Sequence, residues 1–373
     1  MSFSVFDYQC MAHALQLARK GLNTTHPNPR VGCVITRDGH VVGTGWHKKT
    51  GGAHAEVKAL REARDQAAGG TAYVTLEPCS HSGRTPPCVD ALINAKIARV
   101  VFAHEDPNSE VSGEGFVRLR QAGIEVQSGL MAADAEILNV GFLKRMREGR
   151  PWIRVKLAQS MDGHIALANG SSQWISGPAA RADVQNWRAR SDAILTGIGT
   201  VLADNPLLNV RNNANTRQPA RIIVDSHWRC PVNARLLDEP GAVLIAGLSE
   251  KPVPAALRNT PAKILGLPAW KGRVDVEALL AELGKREFNE VQVEAGSTLC
   301  GTLIGQCLVD ELLIYQAPMI LGGGAVSPFA APRLDNMQDR VHLEWMESRH
   351  IGKDLRLRLK PVYPARTDAL GVA

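Results

Sequence analysis

His54, Glu56, Cys79 and Cys88 are the residues of this 373-residue sequence best placed to hold a metal ion and use it. One imidazole and two thiolates suit zinc, with bonds of roughly 2.0–2.3 Å, and three protein ligands leave a fourth position for water. That is the arrangement of a catalytic zinc, unless His47 or His81 closes the position. Zinc lowers the pKa of its bound water to about 7, so hydroxide forms at neutral pH. Hydroxide can add to a ring carbon that bears an amino group, and ammonia leaves once its nitrogen is protonated. Glu56 is two residues from a ligand and is not needed by the metal. It is the candidate general acid/base that takes the water proton and delivers it. A lone His-x-Glu is uninformative, and two cysteines with eight residues between them are weak alone. The ordered set is much more specific: His-x-Glu, then Pro-Cys with the cysteine 25 residues after the histidine, then a second Cys before a predicted helix. Cys10, Cys33, Cys230, Cys300 and Cys307 lack such partners and read as core thiols.

The elements that must carry these residues alternate between helix and strand. Apolar residues at Met11, Ala14, Leu15, Ala18 and Leu22 predict an amphipathic helix over 3–22. Strands follow at 31–36 and 41–46 around Asp38-Gly39, a hairpin signal. A helix over 55–68 then opens beside His54, and a strand over 71–76 runs into Glu77-Pro78-Cys79. Helices over 89–97, 115–122 and 132–147 and strands over 99–103 and 125–128 complete an α/β unit. Gly149-Arg150-Pro151 marks the boundary, giving a first domain over 1–149 and a second over 150–363. In the second, strands are predicted at 152–157, 194–196, 221–224, 243–246, 291–294, 312–316, 341–345 and 355–359, and helices at 179–190, 276–286 and 297–307. Residues 364–373 read as a disordered tail.

Composition narrows the class. Hydrophobic residues make up 45% and charged residues 21%, as in soluble globular proteins. The start of the chain does not read as a signal peptide, and no apolar run is long enough to span a bilayer. Seven cysteines, an odd number, argue against a disulfide framework and for a cytoplasmic setting. The net charge of +6 suits a phosphorylated ligand, but it also suits a solvated surface. The competing reading is a nucleic-acid deaminase of the tRNA type with an accessory domain. It would call for Cys-x-x-Cys, a basic stripe and stacking aromatics; aromatics are only 5% and no stripe is present.

The metal set resembles the cytidine-deaminase-like superfamily, most members of which place their cysteines as Cys-x-x-Cys. Here the loop is longer: Leu76-Glu77-Pro78-Cys79-Ser80-His81-Ser82-Gly83-Arg84-Thr85-Pro86-Pro87-Cys88. With Pro27-Asn28-Pro29-Arg30-Val31-Gly32, that stretch is similar to the bifunctional riboflavin-biosynthesis deaminase-reductase family, and the resemblance continues to about Pro361. It implies an N-terminal cytidine-deaminase-like α/β/α domain with one zinc per chain. That domain would act on a diaminopyrimidinone carrying a ribosylamino 5′-phosphate. Asn28, His47 and Arg84 would touch this phosphorylated pyrimidine. On residue type alone, Asn28 equally suits the Pro-Asn-Pro turn, and His47 and Arg84 a solvated surface.

The second half has no Gly-x-Gly-x-x-Gly, since Leu202 stands in the third glycine's place after Gly197 and Gly199. Several stretches instead resemble the reductase half of the same family: Lys156 to Gly163, Ser172-Gln173-Trp174-Ile175, Ala203-Asp204-Asn205-Pro206, Val224-Asp225-Ser226 and Val293-Glu294-Ala295-Gly296. The resemblance implies a dihydrofolate-reductase-like α/β domain that uses NADPH to reduce the ribosyl side chain to ribityl. NADPH contacts would fall on Ala158, Trp174, Thr200, Asp204, Ser226 and the run Gly296, Ser297, Thr298, Leu299, Cys300, Gly301 and Thr302. Substrate contacts would fall on Ser172, Arg188, Leu208, Arg211 and Glu294. Arg188 and Arg211 suit a phosphate, and Lys156, in a β-run, is a further substrate candidate. The family also suggests a homo-oligomer, with neither nucleic acid nor membrane as partner.

Overall fold

A computed structural model describes residues 3–80, 87–107, 113–211, 217–330, 334 and 336–363. His81, Arg84 and the tail 364–373 lie outside the described residues. The chain divides into two compact units, Met1–Arg150 with Glu287–Asn289, and Pro151–Arg286 with Glu290–Ala373.

In the first unit α1 (Val5–Arg19) precedes a hairpin of β1 (Gly32–Arg37) and β2 (His40–Trp46), turned by Asp38 and Gly39, both at positive φ. Then come α2 (Ala55–Ala63), β3 (Thr71–Val74), α3 (Cys88–Asn94), β4 (Arg99–Phe102), α4 (Glu114–Gln121), β5 (Glu125–Ser128), α5 (Ala132–Leu138) and α6 (Val140–Glu148). The sheet order is β2-β1-β3-β4-β5, antiparallel at the hairpin and at β1–β3, parallel from β3 to β5. Alternation along the strands separates two buried layers. Cys33, Ile35, Ala72, Val74, Val100 and Phe102 pack with α2, α3 and α4, while Val34, Tyr73 and Val101 pack with α1 and α5.

Glycine lets α2 lie directly on the sheet. A methyl group at Gly43 would sit 2.2 Å from the Ala59 carbonyl oxygen, and one at Gly45 would sit 2.1 Å from that of Ala55. The strand therefore presents bare backbone to a helix whose facing residues, Ala55, Ala59 and Ala63, are themselves small and buried. The predicted helix over 132–147 is two helices. Asn139 breaks it, because its side chain accepts from the Arg30 N–H at 2.8 Å and donates to the Arg30 carbonyl at 3.0 Å. A side chain that pairs so well with a distant backbone competes with helical geometry.

The second unit is built on β6 (Trp152–Ser160), α7 (Pro178–Arg190), β7 (Ala193–Gly197), α8 (Ile198–Asp204), β8 (Ala220–Val224), α9 (Arg235–Asp238), β9 (Val243–Leu248), α10 (Ala255–Arg258) and β10 (Lys263–Leu267). A short hairpin of β11 (Ala269–Trp270) and β12 (Arg273–Val274) follows. After it come α11 (Val276–Lys285), β13 (Glu290–Val293), α12 (Ser297–Gly305), β14 (Glu311–Ala317), β15 (His342–Ile351) and β16 (Asp354–Val362). The main sheet runs β10-β9-β8-β7-β13-β6-β14-β16-β15, parallel from β10 to β14 and antiparallel beyond. Parallel strands end on one edge, where the loops after them converge. The Gly197-to-Thr200 turn proves to be the strand-to-helix junction into α8. The edge strand β10, with exposed Lys263 and Gly266, has no clear alternation and is not predicted from sequence.

The tight α2–β2 contact makes a stability prediction. Gly45→Ala should cost at least about 1–3 kcal/mol in denaturant unfolding of the first unit. Gly305→Ala, where a methyl group meets nothing within 4 Å, should change stability little. Equal effects at the two positions would contradict the close-approach account.

Candidate functional site

His54 is the N-cap of α2, in extended backbone at φ −66° and ψ 166°, and its side chain makes no cap bond. Its imidazole turns instead to the thiols: Nδ1 lies 3.1 Å from Cys88 Sγ and 3.6 Å from Cys79 Sγ. The three ligand atoms lie within 4.8 Å of one another, and they form a possible metal-holding group among the described residues. A tetrahedral zinc with the bond lengths above needs N···S separations of about 3.6 Å, so the donor set fits the ion in both type and spacing. Cys88 opens α3, and its backbone N–H donates to Cys79 Sγ at 3.4 Å. The Cys79 thiol is pulled down to about 4 by the hydrogen bond from Cys88, against its burial, with further help from His54. Cys88 is pushed up by Cys79 and by burial. The two sulfurs thus share one proton, which a divalent cation held by both would displace.

Glu56, in the first turn of α2, is 3% exposed. Burial, then the Cys79 thiolate, raises its pKa. A carboxyl desolvated beside the ligands holds its proton more tightly than an exposed one, which suits general acid/base work. His47 does not join the metal group. Its Nε2 lies 3.1 Å from Asn28 Nδ2 and its Nδ1 lies 3.4 Å from the Ala53 carbonyl. With Nδ1 donating to the carbonyl and Nε2 accepting from the amide, the ring is neutral. Burial and the nearby His54 hold its pKa down to about 4. Asn28 and His47, nineteen residues apart, are therefore brought together beside the metal group.

Sequence reasoning missed the anchor of the cysteine loop. Glu77 is buried, and its carboxylate accepts from the backbone N–H of Asp106 (3.3 Å), Gly113 (3.1 Å) and Phe116 (3.4 Å). It ties the segment leading to Cys79 onto the start of α4. Its place two residues before Cys79 is the only sequence signal.

The second unit carries a cleft of about 890 Å3 at the carboxyl ends of its parallel strands, a size suited to small-molecule ligands. Lys156, Ala158, Ser172, Trp174, Arg188, Thr200, Asp204, Leu208, Arg211, Glu294, Gly296 and Ser297 all line it. Ser226 and Thr298 to Thr302 are not among its lining residues. The reason is helical geometry: α12 meets the cleft only at its N-terminus. Behind it Cys300 is buried, and a methyl group at Gly301 would press within 2.6 Å of the Ala330 carbonyl oxygen. The Ser226 hydroxyl accepts from the Val274 N–H at 3.0 Å.

Charges in the cleft are partly compensated. Arg188 grips Glu294 with two parallel bonds of 2.7 and 2.8 Å and donates a third to the Asn209 carbonyl at 2.9 Å. Burial alone would raise the Glu294 carboxyl, but Arg188 and then Lys156 hold it down to about 2. Burial lowers the Lys156 ammonium, partly offset by Glu294. Trp174 is 67% exposed and is thus no core residue; the Arg181 guanidinium lies 4.5 Å from its ring centroid.

The comparisons agree with this division. Residues 5–104 match the cytidine and deoxycytidylate deaminase zinc-binding region, and residues 151–357 match the RibD C-terminal domain. The riboflavin biosynthesis protein RibD of Escherichia coli K12 is 49% identical over 367 residues, covering 95% of this chain and 99% of that protein. Among solved structures, RibD of Acinetobacter baumannii (form 1) is 44% identical with a TM-score of 0.89, covering 96% of this chain and 99% of its own. A Thermotoga maritima structure, described as a diaminohydroxyphosphoribosylaminopyrimidine deaminase/5-amino-6-(5-phosphoribosylamino)uracil reductase, is 31% identical with a TM-score of 0.86, covering 96% and 99%. The chain belongs to the RibD family of riboflavin-biosynthesis proteins, bifunctional enzymes that join a zinc-binding deaminase to a reductase.

Proposed function

We propose that residues 1–149 deaminate 2,5-diamino-6-(5-phosphoribosylamino)pyrimidin-4-one, and that residues 150–363 then use NADPH to reduce the ribosyl side chain of the product to ribityl. The observation that carries the reading is the convergence of His54, Cys79 and Cys88 with the buried Glu56 beside them. His54, Cys79 and Cys88 would hold a zinc ion, which would supply a Lewis acid to the site. Glu56 accepts a proton at its carboxylate and returns it to the departing amino nitrogen. Asn28 offers a donor and an acceptor to the heterocycle edge, and the neutral His47 fixes the Asn28 amide. Arg84 remains a candidate for the phosphate.

The second cleft would hold NADPH, which would supply the hydride. The free N–H groups of Gly296 and Ser297 at the start of α12 suit its pyrophosphate, with Ala158, Trp174, Thr200 and Asp204 lining its path. Ser172, Leu208, Lys156 and Glu294 would hold the substrate. Lys156 and Glu294 line the same cleft and act on each other electrostatically, so the pair can orient the sugar. We place the enzyme in the cytoplasm as a homo-oligomer, a setting that its seven free thiols suit. No helix among the described residues is long and apolar enough to cross a membrane.

Glu56→Gln should retain zinc and lower the rate of ammonia release by about 10²–10⁴-fold, while NADPH-dependent reduction of deaminated substrate continues. Normal ammonia release by this variant would contradict the mechanism. The Arg188–Glu294 pair makes a pH prediction. The folded-state pKa of Glu294, about 2, is below its ordinary 4.5. The stabilisation is therefore complete above about pH 4.5 and is lost as pH falls toward 2. Glu294→Gln should be less stable than the parent at pH 7, on the order of 2 kcal/mol. The gap in melting temperature should shrink as pH drops from 6 to 3, and a gap that holds constant would refute the assignment.

A further inference from the structure

Glu294 is held from several directions. Its backbone N–H donates to the Leu195 carbonyl at 2.9 Å, which carries the β13–β7 ladder one residue further. The Thr196 hydroxyl donates to its carbonyl at 2.8 Å. Gln292 stands two residues earlier, so both side chains leave the same face of the strand. Gln292 is fully buried. Its Nε2 donates to Glu294 Oε1 at 2.8 Å, while its own Oε1 has no hydrogen-bond partner among the described residues. Turning the amide over would set oxygen against carboxylate oxygen, so Glu294 dictates the orientation observed. A buried acceptor left unsatisfied costs free energy that an apolar side chain of the same shape would not. Packing therefore does not account for an amide here; its donor does.

The donor decides which carboxylate oxygen is left open. Each oxygen can accept about two hydrogen bonds. Glu294 Oε1 takes Arg188 Nε at 2.7 Å as well as Gln292, and is filled. Among the described residues Oε2 takes Arg188 Nη2 at 2.8 Å and nothing else, so it keeps a lone pair. Glu294 lines the cleft, and its side chain retains 12% exposure. A fixed carboxylate oxygen with one free lone pair suits a hydroxyl donor.

We propose that Gln292 is a positioning residue for the reductase step: its amide holds the Glu294 carboxylate so that Oε2 stays open to a sugar hydroxyl of the substrate. This rests on the reading of the second unit as a reductase of a phosphoribosyl compound.

Steady-state reduction of the deaminated substrate by the full chain, read by NADPH absorbance and paired with thermal unfolding, tests the assignment. Gln292→Met keeps a similar volume without the donor. Its KM for the pyrimidine should rise about five- to twentyfold, with kcat and the KM for NADPH within about twofold of the parent. Its melting temperature should not fall, because the orphaned acceptor leaves with the amide. Gln292→Leu should behave alike. Gln292→Glu, which sets a second acceptor against Oε1, should raise the same KM at least as far. A parent-like KM in any of the three overturns the proposal. So does a clear drop in melting temperature in both apolar variants, which would assign the amide to the fold. If the parent chain itself reduces no deaminated pyrimidine, the reductase reading falls, and the role of Gln292 falls with it.

Discussion

The deaminase site depends on how close α2 can come to β2. His54 caps that helix and Glu56 lies in its first turn, so any shift of α2 moves the metal ligand and the proton carrier together. The approach is possible only because Gly43 and Gly45 offer backbone to Ala59 and Ala55. The cysteines come from elsewhere, one after β3 and one at the first turn of α3. Glu77 fixes their loop through three backbone donors. The metal group is thus a meeting of two separately anchored segments, and helix–sheet distance sets whether they meet at ligand spacing.

The second unit solves a different electrostatic problem. Its cleft collects cations, Lys156, Arg181, Arg188, Arg211 and Arg235, around the carboxylates of Glu294 and Asp204. A buried ion is costly unless paired, and Glu294 and Arg188 satisfy each other through a bidentate bond. The other cations line the same cleft. The same logic recurs deeper in the sheet. Arg154 is fully buried between Glu290 and Glu311, with its guanidinium 4.6 Å from the Trp187 ring centroid.

Much of this was legible in the residues. His54, Glu56, Cys79 and Cys88 announce themselves because metal chemistry restricts both residue type and order, and periodic apolar patterns placed most strands and helices. The break at Asn139 was not legible, since it depends on a hydrogen bond to Arg30, 109 positions away. Which end of α12 faces the cleft was not legible either, because only packing decides it. Local pattern specifies elements and chemistry, whereas long-range pairing decides which side chains are already spent on the protein itself.

Metal content against partial activities tests the central claim most directly. The account predicts one zinc per purified chain by elemental analysis. It also predicts that Cys88→Ala will lose that zinc and its ammonia release, while still oxidising NADPH with deaminated substrate. Full zinc in Cys88→Ala, or loss of the reductase step along with the metal, would contradict an account in which His54, Cys79 and Cys88 hold the ion and the two chemistries are built on separate sites.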